Sequence, residues 1–431
     1  MSKYSDKIYA LSTHPGKSAI AIIRISGSGL VKILKKITLL KKITPNKTYP
    51  LFLKHKGASI DQVIVTYYKS PNSFTGEDII EINCHGGQAV INKISKTLEE
   101  LGIRLAEPGE FTKRALLNDK IDLIKTESIS DIINAETDKQ REIAVKNIEG
   151  ELSGFIKTIN DQISTVLANL EALIDFSDED LPNNILIKIK EQNKNIIKKI
   201  QSEIINAEIS KPIFDGVKVV IVGKPNTGKS SFINYISKRD VSIVTDMPGT
   251  TTDSITSTIE IKGVKFTFYD TAGLRKHKNK VEEVGIKKTK EHLKNSNMNL
   301  VFLKNNEAAD YRKINNKIFI KSKSDLVGKT KKNYDFHNIS SLTGEGVDSL
   351  LIKIYKKALK KTKKQPILSR ERHISIMKKV LNILKSLDFR ESLDVLAYEY
   401  RLAYNLSMEI NHKFDIEDIL DIIFKDFCIG K

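Results

Sequence analysis

The sequence predicts a multidomain chain that combines α+β and α/β parts with a helical part. Three observations support this fold class. The chain has 431 residues, which is more than one hydrophobic core usually organises. Strand-like and helix-like segments alternate up to about residue 118, and the sequence that follows has an almost continuous helical pattern. A segment with an α/β pattern then interrupts the helical text at about residue 215.

The first 120 residues predict a small α+β domain. Residues 19–25, 62–68 and 78–83 are apolar and β-branched with glycine or proline nearby, which is typical of strands. Residues 88–101 have the period of an amphipathic helix. We therefore expect residues 1–120 to form the N-terminal domain.

Residues 121–213 predict helices, because apolar residues recur there at intervals of three and four. A similar pattern resumes after residue 355 and continues to the C-terminus. We therefore expect residues 214–355 to be a domain inserted between the two halves, 121–213 and 356–431, of one helical domain. The lysine-rich segment 356–364 is expected to be the exposed linker that returns from the insert.

The composition, with 40% hydrophobic and 29% charged residues, is that of a globular protein. No apolar run reaches the roughly 20 residues of a membrane-spanning helix, and the N-terminus has no secretory signal pattern. The two cysteines, Cys84 and Cys428, are too few for a disulfide framework or a cysteine-based metal site. We expect a cytoplasmic protein without membrane association, with Cys84 in the core.

The net charge of +18 favours a polyanionic partner such as nucleic acid. The excess is mostly lysine scattered along the chain, and solvated protein faces contain the same residue. Charge alone therefore leaves nucleic-acid binding and an ordinary solvated surface equally open.

The strongest chemical motif is Gly223-Lys-Pro-Asn-Thr-Gly-Lys229-Ser230, directly after the β-branched run 217–222. It matches the P-loop pattern, in which glycines let backbone N–H groups cradle phosphate oxygens at the N-terminus of a helix. Lys229 is expected to reach the β- and γ-phosphates, and the Ser230 hydroxyl is expected to ligate Mg²⁺.

The segments after this motif favour GTP as the nucleotide. A threonine-rich loop places Thr251 where it can complete the Mg²⁺ shell. A predicted hairpin of residues 255–261 and 264–269 leads to Asp270-Thr-Ala-Gly273, where Asp270 can hold the metal's water and Gly273 can sense the γ-phosphate. These loops resemble those of the translation-factor class of GTPases, whose domain is α/β and Ras-like.

The motif that reads the base is less regular. Strand 318–320 is followed by Lys321-Ser-Lys-Ser-Asp325, and Asp325 can accept two N–H bonds from guanine. Ser322 stands where those GTPases carry asparagine, so we expect weaker GTP binding. Residues 300–316 are expected to be a thin, polar connection before this strand. The predicted GTP-binding residues are Asn226, Thr227, Gly228, Lys229, Ser230, Ser231, Thr245, Thr250, Thr251, Asp270, Thr271, Ala272, Gly273, Ser322, Lys323, Asp325, Ser340, Ser341 and Leu342.

Further motifs extend the pattern to both ends of the chain. They are Thr13-His-Pro-Gly-Lys-Ser, Arg24-Ile-Ser-Gly27, Ser73-Phe-Thr-Gly-Glu-Asp78, His85-Gly-Gly87, Pro108-Gly-Glu-Phe-Thr-Lys-Arg-Ala115 and Phe427-Cys-Ile-Gly-Lys431. Together with the GTPase motifs, they resemble the MnmE (TrmE) family of tRNA-modification GTPases over essentially the full length.

The resemblance implies a cytoplasmic homodimer that works in a heterotetramer with an FAD-containing partner of the MnmG (GidA) type. Its substrate would be the wobble uridine of certain tRNAs, which receives an aminomethyl or carboxymethylaminomethyl group at C5. A tetrahydrofolate derivative, in the 5,10-methylene or 5-formyl form, would supply the one-carbon unit. The N-terminal domain would dimerise and bind this folate through Arg24, Glu81, Lys120 and Lys431. Cys428 would lie near the folate, either as a thiol with a chemical role or as a small buried residue.

The resemblance also implies that K⁺ replaces an arginine finger during hydrolysis. The implied K⁺ ligands are Asn226, Thr245, Thr250 and the backbone carbonyl of Met247. Glu282 would act on the attacking water, with Lys229 as the other catalytic residue. The neighbouring Glu283 is the alternative to Glu282.

Two other functions stay open. A ribosome-assembly GTPase that binds rRNA would explain the basic charge and the GTPase motifs, but it leaves Arg24 and Glu81 without a role. A degenerate GTPase used as a scaffold would explain Ser322, and it predicts nucleotide binding with negligible turnover.

Overall fold

A computed structural model of the chain describes residues 6–175, 185–238, 256–270, 296–303, 311, 313–326, 336–359, 365–411 and 430. These residues belong to two compact units. The first contains residues from 1–133, 147–160 and 405–431, and the second contains residues from 134–146 and 161–404.

The first unit contains a six-stranded sheet with the order β3-β4-β5-β2-β1-β6. Its strands are β1 Ile8–Leu11, β2 Ser18–Gly27, β3 Thr48–His55, β4 Ala58–Tyr68, β5 Asp78–Gly86 and β6 Arg104–Leu105. All neighbouring pairs are antiparallel except β1 with β6. Side chains alternate between the two faces, so Val63 and Val65 are buried in the core while Ile64 is 46% exposed.

The helices of this unit are α1 Leu30–Ile37, α2 Gln88–Glu100, α3 Glu110–Leu117 and α4 Leu123–Ile133. The three predicted strands and the predicted helix of the N-terminal domain are confirmed, with strand bounds a few residues longer. The prediction for Cys84 is also confirmed, because the residue is 3% exposed and burial raises the pKa of its thiol to about 11.

Long helices follow, as the periodicity predicts. They are α5 Asp138–Glu149, α6 Glu151–Asp175 and α7 Ile185–Asp215. None of the helices in the part of the chain that the structure describes is long and apolar enough to cross a bilayer.

The second unit contains another six-stranded sheet, with the order β12-β11-β10-β7-β9-β8. Its strands are β7 Val217–Gly223, β8 Thr256–Ile261, β9 Val264–Asp270, β10 Met298–Leu303, β11 Lys317–Lys321 and β12 Phe336–Asn338. All pairs are parallel except β8 with β9, which confirms the predicted hairpin. Helices α8 Lys229–Ser237, α9 Val347–Ala358, α10 Glu371–Ser386 and α11 Leu393–Met408, with a short 3-10 helix at Ser324–Leu326, complete the described elements.

Strand β7 is apolar and buried from Val219 to Val222, and the exposed Lys218 lies near its start. Val219 and Ile221 pack into one hydrophobic cluster, and Val220 and Val222 pack into another on the opposite face of the sheet. A parallel strand covered on both faces buries consecutive side chains, so residues 219–222 show no alternation of apolar and polar residues.

Two predictions about this unit are wrong. Residues 300–316 were expected to be a polar connection, but Met298–Leu303 forms β10, which is buried throughout and pairs with both β7 and β11. A strand of six residues in the centre of a sheet is too short to stand out by periodicity. Lys356 and Lys357 were expected to lie in a linker, but they occupy the last turn of α9, where cations offset the helix dipole.

Candidate nucleotide-binding site and its relatives

The phosphate loop, residues 223–230, joins the end of β7 to the start of α8, so the predicted strand–loop–helix is confirmed. Gly228 precedes the helix with a φ of 87°, a conformation that favours glycine. A Cβ atom on Gly223 would lie 2.4 Å from the carbonyl oxygen of Phe302 on β10. Only glycine therefore lets the loop begin so close to the neighbouring strand.

Lys229 is the first residue of α8, and its side chain turns back over the loop. Its ammonium donates to the carbonyl oxygens of Gly223 at 2.9 Å and Lys224 at 2.8 Å. The residue is only 4% exposed. A cation held against loop carbonyls beside a helix N-terminus is positioned to exchange those carbonyls for phosphate oxygens.

Ser230 and Asp270 come together from different elements, α8 and the end of β9. The Ser230 hydroxyl donates to Oδ2 of Asp270 at 3.1 Å, and Asp270 is 1% exposed. A hydroxyl and a carboxylate are the oxygen donors that Mg²⁺ prefers. These two residues therefore fit a magnesium site with Ser230 as ligand and Asp270 beside it, as the sequence predicts.

The base loop, residues 322–325, follows β11 and lies against the phosphate loop. The Ser322 hydroxyl donates to the carbonyl oxygen of Thr227 at 2.5 Å. On the other side, the buried Ser340 hydroxyl donates to Oδ1 of Asp325 at 2.7 Å. Ser340 and Asp325, both predicted to contact the base, are therefore held together by a direct hydrogen bond.

Ser341 and Leu342, two further predicted nucleotide residues, follow Ser340 in the chain. The Ser341 hydroxyl oxygen is buried and has no hydrogen-bond partner among the described residues, whereas the Leu342 side chain is 84% exposed. The predicted residues that lie outside the described ones are Thr245, Met247, Thr250, Thr251, Thr271, Ala272, Gly273, Glu282, Glu283, Cys428 and Lys431.

The predicted folate residues Arg24 and Glu81 are direct cross-strand partners on β2 and β5. Arg24 Nη2 lies 2.8 Å from Glu81 Oε1, and each side chain is 22% exposed. The Tyr68 hydroxyl donates to the other carboxylate oxygen at 3.3 Å, and the Phe111 ring centre lies 5.9 Å from the Arg24 guanidinium. Sequence reasoning missed Tyr68 and Phe111, because only strand register and helix packing bring them here.

Lys120 is the third predicted folate residue within the described part. It is exposed and follows α3 by three residues. The nearby Asn118 side chain donates to the Thr75 carbonyl at 2.7 Å, which fixes this segment to the loop before β5. The structure pairs Arg24 with Glu81, and Lys120 makes no ion pair with the Glu81 carboxylate.

A buried ionic network lies in the same domain and was not predicted. Arg114 is 0% exposed, and its guanidinium pairs with Asp6 at 2.9 Å, Glu77 at 3.1 Å and Glu110 at 2.9 Å. Glu77 also accepts a hydrogen bond from Ser26 at 2.8 Å. The network therefore joins two sequence motifs, residues 73–78 and 108–115, to which sequence reasoning assigned no role.

Comparison with protein families and curated proteins gives a consistent result. The family model "GTP-binding protein TrmE N-terminus" matches residues 7–120, and the model "MnmE helical domain" matches residues 123–428. The tRNA modification GTPase MnmE of Fervidobacterium nodosum is 39% identical over 99% of this chain and 98% of that protein. The protein of the same name from Aquifex aeolicus is 35% identical over 99% of this chain and 100% of its own length.

Solved structures give only a weak likeness. The G domain of the T. maritima FeoB iron transporter is 22% identical, with a TM-score of 0.26, and covers 33% of this chain and 98% of that chain. A score this low supports no conclusion. The family models and the full-length relatives do, and they show that this chain belongs to the MnmE family of tRNA modification GTPases.

Proposed function

We propose that this chain is a K⁺-dependent GTPase that, with a flavoprotein partner, modifies C5 of the wobble uridine of certain tRNAs with a folate-derived one-carbon unit. The observation that supports it best is the meeting of the phosphate loop, the Ser230–Asp270 pair and the base loop at the ends of β7, β9 and β11. The carboxyl ends of parallel strands are where α/β domains bind nucleotides.

Within this site, Lys229 would neutralise the β- and γ-phosphates of GTP, and Ser230 and Thr251 would hold Mg²⁺. Magnesium, when bound, offsets phosphate charge and orients the γ-phosphate for in-line attack. Asp325 would accept the guanine N–H groups, with its carboxylate oriented by Ser340.

Hydrolysis requires a positive charge near the leaving phosphate oxygen, and K⁺ would supply it. Asn226 lies in the phosphate loop with a φ of 60°, and its side chain is exposed. Its amide oxygen is therefore available as a K⁺ ligand, to be joined by Thr245, Thr250 and the Met247 carbonyl. Glu282 would orient and deprotonate the attacking water.

GTP turnover is expected to be strongly stimulated by K⁺ relative to Na⁺ at equal ionic strength, and Asn226→Ala should reduce this stimulation.

In the same assay, Glu282→Ala should lower turnover about a hundredfold or more while GTP binding persists, as for loss of a general base. Glu283→Ala is the matched control and should retain turnover. Equal turnover rates in K⁺ and Na⁺ would favour the alternative of a ribosome-assembly GTPase that binds rRNA. No turnover in either salt would favour the alternative of a degenerate GTPase used as a scaffold.

The Arg24–Glu81 pair supports the folate part of the proposal. Together with Lys120 and Lys431, it offers cations for the glutamate tail of a folate and a carboxylate for the pterin N–H groups. Because Arg24 and Glu81 already hold each other at 2.8 Å, both groups are oriented before a ligand arrives. A bound tetrahydrofolate derivative would supply the one-carbon unit.

Glu81→Gln is expected to weaken binding of 5-formyltetrahydrofolate at least tenfold, because the neutral amide cannot accept two charge-assisted bonds. Calorimetric titration of the full chain measures this. Glu100→Gln is the matched control, since Glu100 is also ion-paired, to Lys56 at 2.7 Å, in the same unit. If the unmodified protein shows no heat of binding with 5-formyltetrahydrofolate, the ribosome-assembly alternative is favoured instead.

The homodimer has its own support in the first unit. Ile20, Phe52 and Ile64 are 62%, 54% and 46% exposed on the sheet of this unit, and exposed apolar residues on one sheet are typical of an interface. We propose that a second copy covers them, which sedimentation of the full chain tests by showing dimer or monomer. The FAD-containing partner of the MnmG type would complete a heterotetramer, and the cytoplasm is the proposed location.

The proposed domain division follows the sequence: residues 1–120 bind folate and dimerise, residues 214–355 form the GTPase domain, and residues 121–213 with 356–431 form the helical domain. Limited proteolysis tests it, since cleavage should concentrate near these boundaries.

A further inference from the structure

Ser322 occupies an unusual position at the start of the base loop. Its hydroxyl donates to the Thr227 carbonyl at 2.5 Å, although the two residues are 95 positions apart. Thr227 is only 3% exposed, so its carbonyl oxygen has little access to water. A buried carbonyl that loses its donor costs about 1–3 kcal/mol.

The fit around this hydrogen bond is tight. A Cβ atom on Gly228 would lie 2.7 Å from the Ser322 hydroxyl oxygen and 3.0 Å from the Ser322 Cβ. Gly228 also has a φ of 87°, so this position favours glycine for two independent reasons. The base loop therefore rests directly on the backbone of the phosphate loop.

The far side of the base loop is anchored as well. The Ser324 N–H donates to the Ile339 carbonyl at 3.1 Å, and the Ile339 N–H donates to the Lys321 carbonyl at 2.9 Å. Ser340, next along the chain, holds the Asp325 carboxylate at 2.7 Å. Asp325 is thus fixed relative to the segment that follows β12, and the Ser322 side chain hydrogen-bonds the base loop to the phosphate loop.

We propose that Ser322 is a positioning residue, whose hydroxyl fixes the separation between the phosphate loop and Asp325 without touching the nucleotide. A nucleotide has its base and its phosphates joined covalently, so it binds best when both subsites are held at the matching distance. The serine therefore retains a connection between the loops despite lacking an amide, and weak GTP binding need not follow from its presence.

Two ligands distinguish a residue that positions the loops from one that contacts the ligand. Inorganic tripolyphosphate engages only the phosphate loop, so its binding does not depend on where Asp325 lies. GDP engages both loops, so its binding does depend on it. A hydroxyl that only stabilised the phosphate loop would affect both ligands equally.

Calorimetric titration of the full chain with GDP and with tripolyphosphate tests the proposal. Ser322→Ala is expected to weaken GDP binding about tenfold, equivalent to about 1.4 kcal/mol, and to leave tripolyphosphate binding unchanged. Ser322→Asn, which keeps a side-chain donor, should recover GDP affinity to within about threefold of the unmodified protein.

Ser386→Ala is the matched control, because the Ser386 hydroxyl also donates to a backbone carbonyl, that of Ile383 at 2.9 Å, but on α10. It should change neither affinity. Unchanged GDP binding in Ser322→Ala, or an equal loss for GDP and tripolyphosphate, would overturn the proposal. If Ser322→Ala does not fold, Ser322→Cys keeps the volume with a much weaker donor and is judged by the same two titrations.

Discussion

Lys229→Ala is expected to abolish binding of GTP and GDP at micromolar concentrations. Lys229 is almost fully buried and its ammonium reaches the Gly223 and Lys224 carbonyls, so its loss removes a positive charge held against the phosphate loop. Removing one partner of a buried charge pair costs about 2–5 kcal/mol, or about thirtyfold to several-thousandfold in affinity. Titration with a fluorescent GDP analogue measures the loss.

The control for this variant is Lys238→Ala, which removes the same charge from an exposed residue at the other end of α8. It should bind GDP as the unmodified protein does. Unchanged GDP affinity in Lys229→Ala would show that the phosphate loop is not the nucleotide site.

Arg114→Leu is expected to destabilise the first unit by about 3–5 kcal/mol, because it removes the guanidinium that pairs with the buried Glu77 and one of the two, with Arg104, that pair with Glu110. The side chains of Glu77 and Glu110 are only 1% and 5% exposed, and each pairs with the Arg114 guanidinium. Hydrogen exchange of the α3 amides in the full chain measures the change, since a two-unit chain does not unfold in one step.

Arg390→Leu is the matched control, because Arg390 is also ion-paired, to Asp388, but its side chain is 90% exposed. Exposed pairs contribute about 0–1 kcal/mol, so this variant should leave the α3 amides unaffected. Equal exchange rates at α3 in the two variants would contradict a structural role for the buried network.

The pH dependence of α3 amide protection is a second test of the same ionic network. Burial by itself would raise the pKa of Glu110, but hydrogen bonds from Arg104 and Arg114 hold that pKa below its usual value. A lowered pKa in the folded state contributes stability at pH values above the unfolded pKa, about 4.3, and this contribution is lost as the pH falls through the folded pKa. Protection of the α3 amides should therefore decline below about pH 4, and less steeply in Arg114→Leu.

Much of the fold could be read from local patterns. The apolar, β-branched residues of β4 and β7 and the hairpin of β8 and β9 are each visible in consecutive residues, and each prediction is confirmed. The phosphate loop was predictable for the same reason, since its glycines, lysine and serine are contiguous. Strand β10 was missed because a run of six residues with five apolar side chains is equally typical of a short buried helix or loop segment.

The sequence by itself therefore determined the family, many of the elements and the residue types of the proposed nucleotide site. The tertiary structure alone decided which side chains meet. Three pairs that meet in the structure are far apart in the sequence. Arg24 and Glu81 are separated by 57 positions, and Ser322 and Thr227 by 95. Arg114 and Asp6 are separated by 108 positions. The physical reason is that strand register and loop packing are set by the burial of whole sheets, and no local pattern encodes the distance between two polar groups that such burial brings together.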